Sequence, residues 1–335
     1  MIKFPKIGQF RDVVSFVRKQ NDFKGFNEEG QSIFNHDTLY PKLTFTGTPK
    51  LHGTNSSVVY SKSKDIIYQS RNNEITVLKD NAGFAAFMSG ISIEAKQVLL
   101  NVFNKHICST FVYFGEFCGN GIQKGVAIEK LPKMFVIFNF KKDDDWLLPV
   151  FTEDELSILN KNKIYSILQF ESYEMEIDFE HPELAQNKLK ELTNQVENEC
   201  PVGKYFGILG TGEGIVWKNK YDLSPKYWFK VKGMKHSSSK VKTLASVDVE
   251  KVNNIQEFVE MTVTESRLEQ GLSILKEQGK EIHRKNTGEF LKWIVSDIIS
   301  EELDTLTKNN LCAKDVTSEL SKKARIFWLS QTDKL

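Results

Sequence analysis

An excess of charge of either sign is the first thing this sequence lacks. Its 335 residues carry 45 Lys and Arg against 44 Asp and Glu, a formal net charge of +1. The molecule as a whole is therefore no polycation, and any contact with a polyanion must come from a local patch. Cysteine is scarce too. Cys108, Cys118, Cys200 and Cys312 are scattered with no pair at metal-finger spacing, which argues against a zinc site or a disulfide framework and suits a reducing compartment. No run is long and apolar enough to span a bilayer, and Met1-Ile2-Lys3-Phe4-Pro5 lacks the apolar core of a secretory signal. Proline disappears after Pro225. A hydrophobic content of 40% with 27% charged residues is ordinary for a globular protein, and the length allows two cores. The expectation is a soluble, cytoplasmic, two-domain monomer with no membrane partner.

Against that background one hexapeptide organises the chain: Lys50-Leu51-His52-Gly53-Thr54-Asn55. Leu43 and Phe45 share a face ahead of it and Ser57-Val58-Val59-Tyr60 follows, so it is expected at a turn between two strands. Lys50 then projects from a sheet corner, where a lysine held beside other cations can shed its proton and act as a nucleophile. Before this turn, Phe10, Val13, Val14, Phe16 and Val17 recur at helical spacing, with Gly25, Asn27, Gly30 and Asn35 predicting a loop afterwards. After it, strands are expected over 65–70, 111–117 and 133–140, and a helix over 92–105 with Ile93, Val98, Leu99 and Val102 facing a core. Glu116, a carboxylate within an aromatic strand, has to be paired, bind a ligand or lie at a wet end. Asp143-Asp144-Asp145 reads as a solvated hairpin tip, since consecutive acids cannot all point one way. Thr152 and Glu155 form a capping-box pattern, and Pro182 opens a helix reaching about Asn198; residues 150–200 read as a helical layer.

Two strands then carry charge. Gly212-Glu213-Gly214-Ile215-Val216-Trp217-Lys218 sets Glu213 and Ile215 on one side and Gly214 and Val216 on the other, while Tyr227–Lys232 aligns Lys230 with Lys232. From Lys218 to Lys242 there are eight lysines and a single acid, Asp222, a basic patch that the net charge conceals. Beyond it, helices are expected over 247–264, 265–280, 287–306 and 314–330, with Thr287 as the N-cap of the third. The domains are accordingly predicted as 1–243 and 244–335.

These segments, taken in order, resemble covalent nucleotidyltransferases. Lys50-Leu51-His52-Gly53-Thr54-Asn55 resembles the first motif in the form used by the phage-type RNA ligase 2 family. Arg71 falls at the second motif, and Phe114-Gly115-Glu116-Phe117-Cys118-Gly119-Asn120-Gly121-Ile122-Gln123-Lys124 is similar to the third. Phe135–Asn139 resembles the aromatic strand that follows, Glu213–Lys218 the fourth motif and Lys230-Val231-Lys232 the fifth. Pro49, Asn120 and Asn139 stand where members often have an acidic residue, a proline and an aspartate.

The resemblance implies an α+β fold: an antiparallel-sheet nucleotidyltransferase (ATP-grasp-like ligase) domain followed by a small all-α domain that engages the RNA end, with Lys322, Lys323 and Arg325 available to phosphates. It implies an ATP-dependent RNA ligase that joins 3′-hydroxyl and 5′-phosphate RNA ends through a lysyl-AMP and an RNA-adenylate, in a host-cell cytoplasm if the protein is a phage's. Lys50 would be the nucleophile, Lys230 and Lys232 would balance phosphate charge, and Glu213 would hold Mg²⁺, with Mn²⁺ as the alternative ion. Leu51, His52, Asn55, Arg71, Glu116, Phe138 and Lys218 would line the ATP or AMP site, Phe138 by stacking on adenine. Two rivals remain. DNA ligases and capping enzymes share these motifs but usually append a β-barrel, and a non-catalytic nucleic-acid binding protein would explain the lysines but leave Lys50, Glu116 and Glu213 without purpose.

Overall fold

The computed structural model describes residues 1–35, 39–63, 66–80, 82–236, 255–308 and 311–332. The chain forms two compact units: Met1–Ile7, Lys42–Ile177 and Asn187–Gly233 make the first, and Gly8–Pro41, Asp178–Gln186 and Met234–Leu335 the second. The architecture is α+β with largely antiparallel sheets. The expected domain boundary at 243 lies outside the described residues.

In the second unit, helix α1 (Phe10–Asp22) buries Phe10, Val13, Val14 and Val17 on one face. The predicted loop after it is instead a hairpin of β1 (Phe23–Phe26) and β2 (Ser32–Phe34). Asn27 explains the difference: its side-chain oxygen accepts from the N–H groups of Glu29 and Gln31, closing a turn in which Gly30 takes φ 77°.

The first unit holds two sheets. The smaller has the order β11-β3-β12-β13, from β3 (Lys42–Lys50), β11 (Tyr173–Asp178), β12 (Gly214–Asn219) and β13 (Phe229–Lys232). The larger runs β10-β8-β7-β4-β5-β6, from β4 (Thr54–Ser61), β5 (Ile66–Ser70), β6 (Glu74–Ile75), β7 (Thr110–Cys118), β8 (Met134–Lys142) and β10 (Ile164–Ser166), with β9 (Asp145–Leu147) beside β8. Helices α2 (Phe84–Ser89) and α3 (Ile93–Asn104) seal one face of the larger sheet over a core that includes Val58, Tyr60, Phe84, Leu99, Phe111, Tyr113 and Phe135. Within α3, Val98, Leu99 and Val102 are buried as expected, whereas Ile93, the first helical residue, is 79% exposed.

Residues 150–200 are not purely helical. Helices α4 (Glu153–Lys161) and α5 (Ala185–Asn198) flank β10 and β11. In β11 the alternation of Tyr173, Met175 and Ile177 with Glu174 and Glu176 is a period-two signal that the helical reading passed over. The capping box at Thr152 forms as predicted. The acidic triplet is a hairpin tip, with Asp143 in the left-handed region at φ 48° and its carboxylate accepting from the Ser109 and Thr110 N–H groups. Helix α6 (Pro201–Tyr205) completes this unit's helices.

The C-terminal helices of the second unit are α7 (Ile255–Thr262), α8 (Glu265–Glu277), α9 (Thr287–Glu301), α10 (Leu303–Lys308) and α11 (Ala313–Thr332). They bury Phe258, Leu268, Phe290, Ile294, Ile298, Val316, Leu320 and Trp328. Thr287 is not the N-cap of α9. A 3-10 turn at Arg284–Asn286 leads straight into the helix, and the Thr287 hydroxyl donates back to the Arg284 carbonyl. The expected helix 287–306 also breaks, at the buried Glu302. The Glu302 carboxylate accepts from Arg11 of α1 at 3.0 Å, and Arg267 lies 2.7 Å from Glu301 and 3.2 Å from Asp297, so a buried charge network ties α1 to α8 and α9.

Candidate active site

Register decides which side chains meet. Gly214 of β12 stands opposite Lys50 on one neighbour and Lys232 on the other; Val216 stands between Thr48 and Lys230; Lys218 faces Thr46. Directly opposed residues share a face, so Lys50, Lys218, Lys230 and Lys232 lie on one side of the small sheet. The other side buries Phe45, Ile215, Trp217, Phe229 and Val231.

The carboxylate that answers these cations comes from just ahead of β12. Gly214 sits at φ 148°, and a Cβ there would fall 2.2 Å from the Val231 carbonyl oxygen, so only glycine lets the chain turn here. Glu213, 2% exposed, thereby reaches Lys50 at 2.7 Å, Lys232 at 3.2 Å and His52 Nδ1 at 3.5 Å. Burial alone would raise its carboxyl. The charges of Lys50 and Lys232 and the contact with His52 outweigh that and hold it well below the usual carboxylate range. Burial pushes the Lys232 amine down to about 8; Glu213 opposes the shift, while Lys50 and Lys230 add to it.

The turn after Lys50 is held from the larger sheet. Glu116 accepts the Gly53 N–H at 3.0 Å, which explains a carboxylate inside the aromatic strand β7. A Cβ on Gly53 would approach the Phe117 carbonyl oxygen to 2.4 Å. Leu51 is buried beneath the turn, and Asn55 is the register partner of Glu116. Arg71 follows Ser70, which pairs with Ser56, so it stands at the same end of the sheet.

Lys218 sits apart from the Glu213 cluster. Its amine donates to the Phe138 carbonyl at 3.0 Å and to the Asn139 side-chain oxygen at 2.5 Å, and burial pushes it down to about 7. Phe138 itself is half-buried, with Phe4 edge-on at 4.9 Å between ring centroids; Phe4 in turn stacks on Trp228 at 5.4 Å. Phe4 was not legible as a site residue. Its signal was the lone aromatic in Met1–Ile7, a segment too short for any period. Among the described residues no group of three His, Cys, Asp or Glu side chains forms a metal cluster. Glu213 offers a single hard oxygen donor group, with His52 beside it, and a magnesium-type ion commonly takes only one or two carboxylates together with substrate phosphates. The donor set fits such an ion.

The fold and the site thus define an α+β protein whose sheet face gathers lysines around one buried carboxylate. The family model of RNA ligases matches residues 43–232, more than half the chain, and the chain belongs to the RNA ligase family. Solved structures of the Naegleria gruberi RNA ligase are similar. The form with PPi is 17% identical with a TM-score of 0.43, covering 69% of this chain and 56% of that one. A variant with ATP and Mn is 18% identical with a TM-score of 0.43, covering 69% and 55%. A further variant with AMP and Mn is 18% identical with a TM-score of 0.41, covering 69% and 57%. The chain thus spans little more than half the length of these ligases. No curated protein matches the sequence. No helix among the described residues is long and apolar enough to cross a membrane.

Proposed function

We propose that this chain is an ATP-dependent RNA ligase that joins 3′-hydroxyl and 5′-phosphate ends through a lysyl-AMP and an RNA-adenylate. The supporting observation is the Glu213 carboxylate held between Lys50 and Lys232 on one sheet face. Lys50 attacks the α-phosphorus of ATP; the N–P bond forms as the bond to pyrophosphate breaks, and the amine gives up its proton. AMP then passes to the RNA 5′-phosphate, freeing Lys50, and the 3′-hydroxyl displaces AMP from that end. Each step is a substitution at phosphorus, so catalysis consists of in-line placement and neutralised oxygen charge. Lys230 and Lys232 supply cations to the phosphates. Phe138 stacks on adenine, Arg71 and Glu116 approach the ribose, and Leu51, His52, Asn55 and Lys218 complete the nucleotide site. A divalent cation at Glu213, Mg²⁺ or Mn²⁺, would neutralise phosphate charge and engage the carboxylate now paired with Lys50. The helical C-terminal region engages RNA. The test is sealing of a nicked RNA duplex and of single-stranded RNA with ATP and a divalent metal; joining that needs both the 5′-phosphate and the 3′-hydroxyl supports the proposal, and no joining of either substrate refutes it.

A further inference from the structure

Among the site cations Lys218 has unusual company. Lys50 and Lys232 share the Glu213 carboxylate. Lys218, 6% exposed, makes no ion pair among the described residues and rests on two uncharged oxygens, those of the Phe138 carbonyl and the Asn139 side chain. The Trp228 ring centroid lies 5.1 Å from its amine and the Phe138 centroid 5.8 Å. Two N–H groups are therefore used by oxygens, and the remaining direction meets aromatic faces rather than open space for a phosphate. The same amine touches the backbone and the ring environment of one residue, Phe138.

We propose that Lys218 is a positioning residue for the nucleotide base rather than a phosphate ligand: its amine fixes β8 at Phe138, and the uncharged Asn139 leaves that hold dependent on the amine's own proton. The inference rests on the reading that Phe138 stacks on adenine. As an ammonium, Lys218 carries three donors, makes charge-assisted bonds to both oxygens and is attracted to the Trp228 face. As a neutral amine it keeps two donors and turns a lone pair toward an electron-rich ring. The protonated form holds Phe138 more firmly.

The surroundings leave that proton loosely held. Phe138 and Asn139 face the amine from β8, Trp228 from the residue just ahead of β13, and Thr46 stands opposite on β3. The charged side chains Lys141 of β8 and Lys220 beyond β12 are engaged by Asp144 and Glu174, and Lys230 lies two residues past Trp228. Burial is the whole cause of the shift in Lys218, with no carboxylate opposing it. Asn139→Asp would place a charge against the amine and keep it protonated into the alkaline range.

The experiment measures KM for ATP and kcat in formation of the protein–AMP adduct between about pH 6 and 9, on wild type, Asn139→Asp and Lys218→Met. The wild-type KM should rise about fivefold to tenfold relative to that of Asn139→Asp as pH passes neutrality, with little change in the kcat ratio. Lys232 titrates in both proteins and cancels in the ratio. Lys218→Met should raise KM about tenfold at acid pH and lose the extra step. Binding of a non-hydrolysable ATP analogue, followed by calorimetry in two buffers of different ionisation heat on wild type and Lys218→Met, reads the same event: Lys232 beside the phosphates contributes to both, and greater proton uptake by wild type is expected at neutral pH. Identical pH profiles for wild type and Asn139→Asp, a Lys218→Met defect confined to kcat, or no greater proton uptake by wild type than by Lys218→Met would each overturn the inference while leaving the ligase reading intact. No adduct on any of the three proteins would instead overturn the ligase reading, and the inference with it.

Discussion

Glu213→Gln keeps the shape of the side chain and removes one charge, leaving two cations to face each other without an anion. Lys50 and Lys232 approach the carboxylate to 2.7 and 3.2 Å, and the carboxylate is 2% exposed. Removing one partner of a buried ion pair typically costs ~3–5 kcal/mol. Lys50 is 22% exposed and Lys232 11%, so water recovers part of that loss. The expected destabilisation is about 2–4 kcal/mol near neutral pH. It should be smaller at alkaline pH: Lys232 already sits at about 8, and without Glu213 it sheds its proton still more readily. The assay is urea denaturation of wild type and Glu213→Gln at neutral and alkaline pH, followed by fluorescence of the tryptophans around the site. A loss below about 0.5 kcal/mol at neutral pH, or one that grows with pH, would mean that the three side chains do not form the cluster described.

Acid should act through the same carboxylate. Its folded value is depressed, so its stabilisation is complete above the ordinary value of 4.5 and is lost as pH falls below it; Glu213→Gln should remove this part of the acid-denaturation slope, which an acid titration of both proteins would show. Gly214→Ala, whose Cβ meets the Val231 carbonyl oxygen at a positive φ, should cost more than ~2 kcal/mol and appear as a lowered urea midpoint or insoluble protein. In the second unit, Glu302→Gln takes one of two carboxylates from the buried Arg11, which keeps Asp304 at 2.9 Å, and should cost about 1–3 kcal/mol, read from a thermal scan, with wild-type stability the outcome that rejects the network.

Much of the candidate site was legible because its residues sit on short, strongly patterned strands. The alternation around Lys50 and from Gly214 onward assigns faces directly, but it set Glu213 beside Ile215, whereas the turn at Gly214 carries Glu213 to Lys50 and Lys232 on the opposite face. Glu116 announced itself as a misplaced charge, but its partner, the Gly53 N–H, lies 63 residues away in sequence and follows only from strand pairing. Phe4 and Trp228 were not legible as a stacked pair behind Phe138, since nothing local joins residues so far apart. The missed hairpin β1–β2 shows a different limit. Gly25, Asn27 and Gly30 mark a turn, but whether strands flank it depends on pairing that two short segments do not advertise. The end of α9 at Glu302 was hidden for a related reason, because the periodicity continues while the backbone breaks to deliver a carboxylate to Arg11.

The central claim is that the Lys50 amine is the group that takes up AMP. Incubating the protein with ATP labelled in the α-phosphate and a divalent metal, denaturing it, and locating the label by peptide mass spectrometry tests this most directly. The account predicts one AMP per chain on Lys50 and none on Lys50→Ala. Label retained by Lys50→Ala, or found on another residue of the wild type, would contradict it.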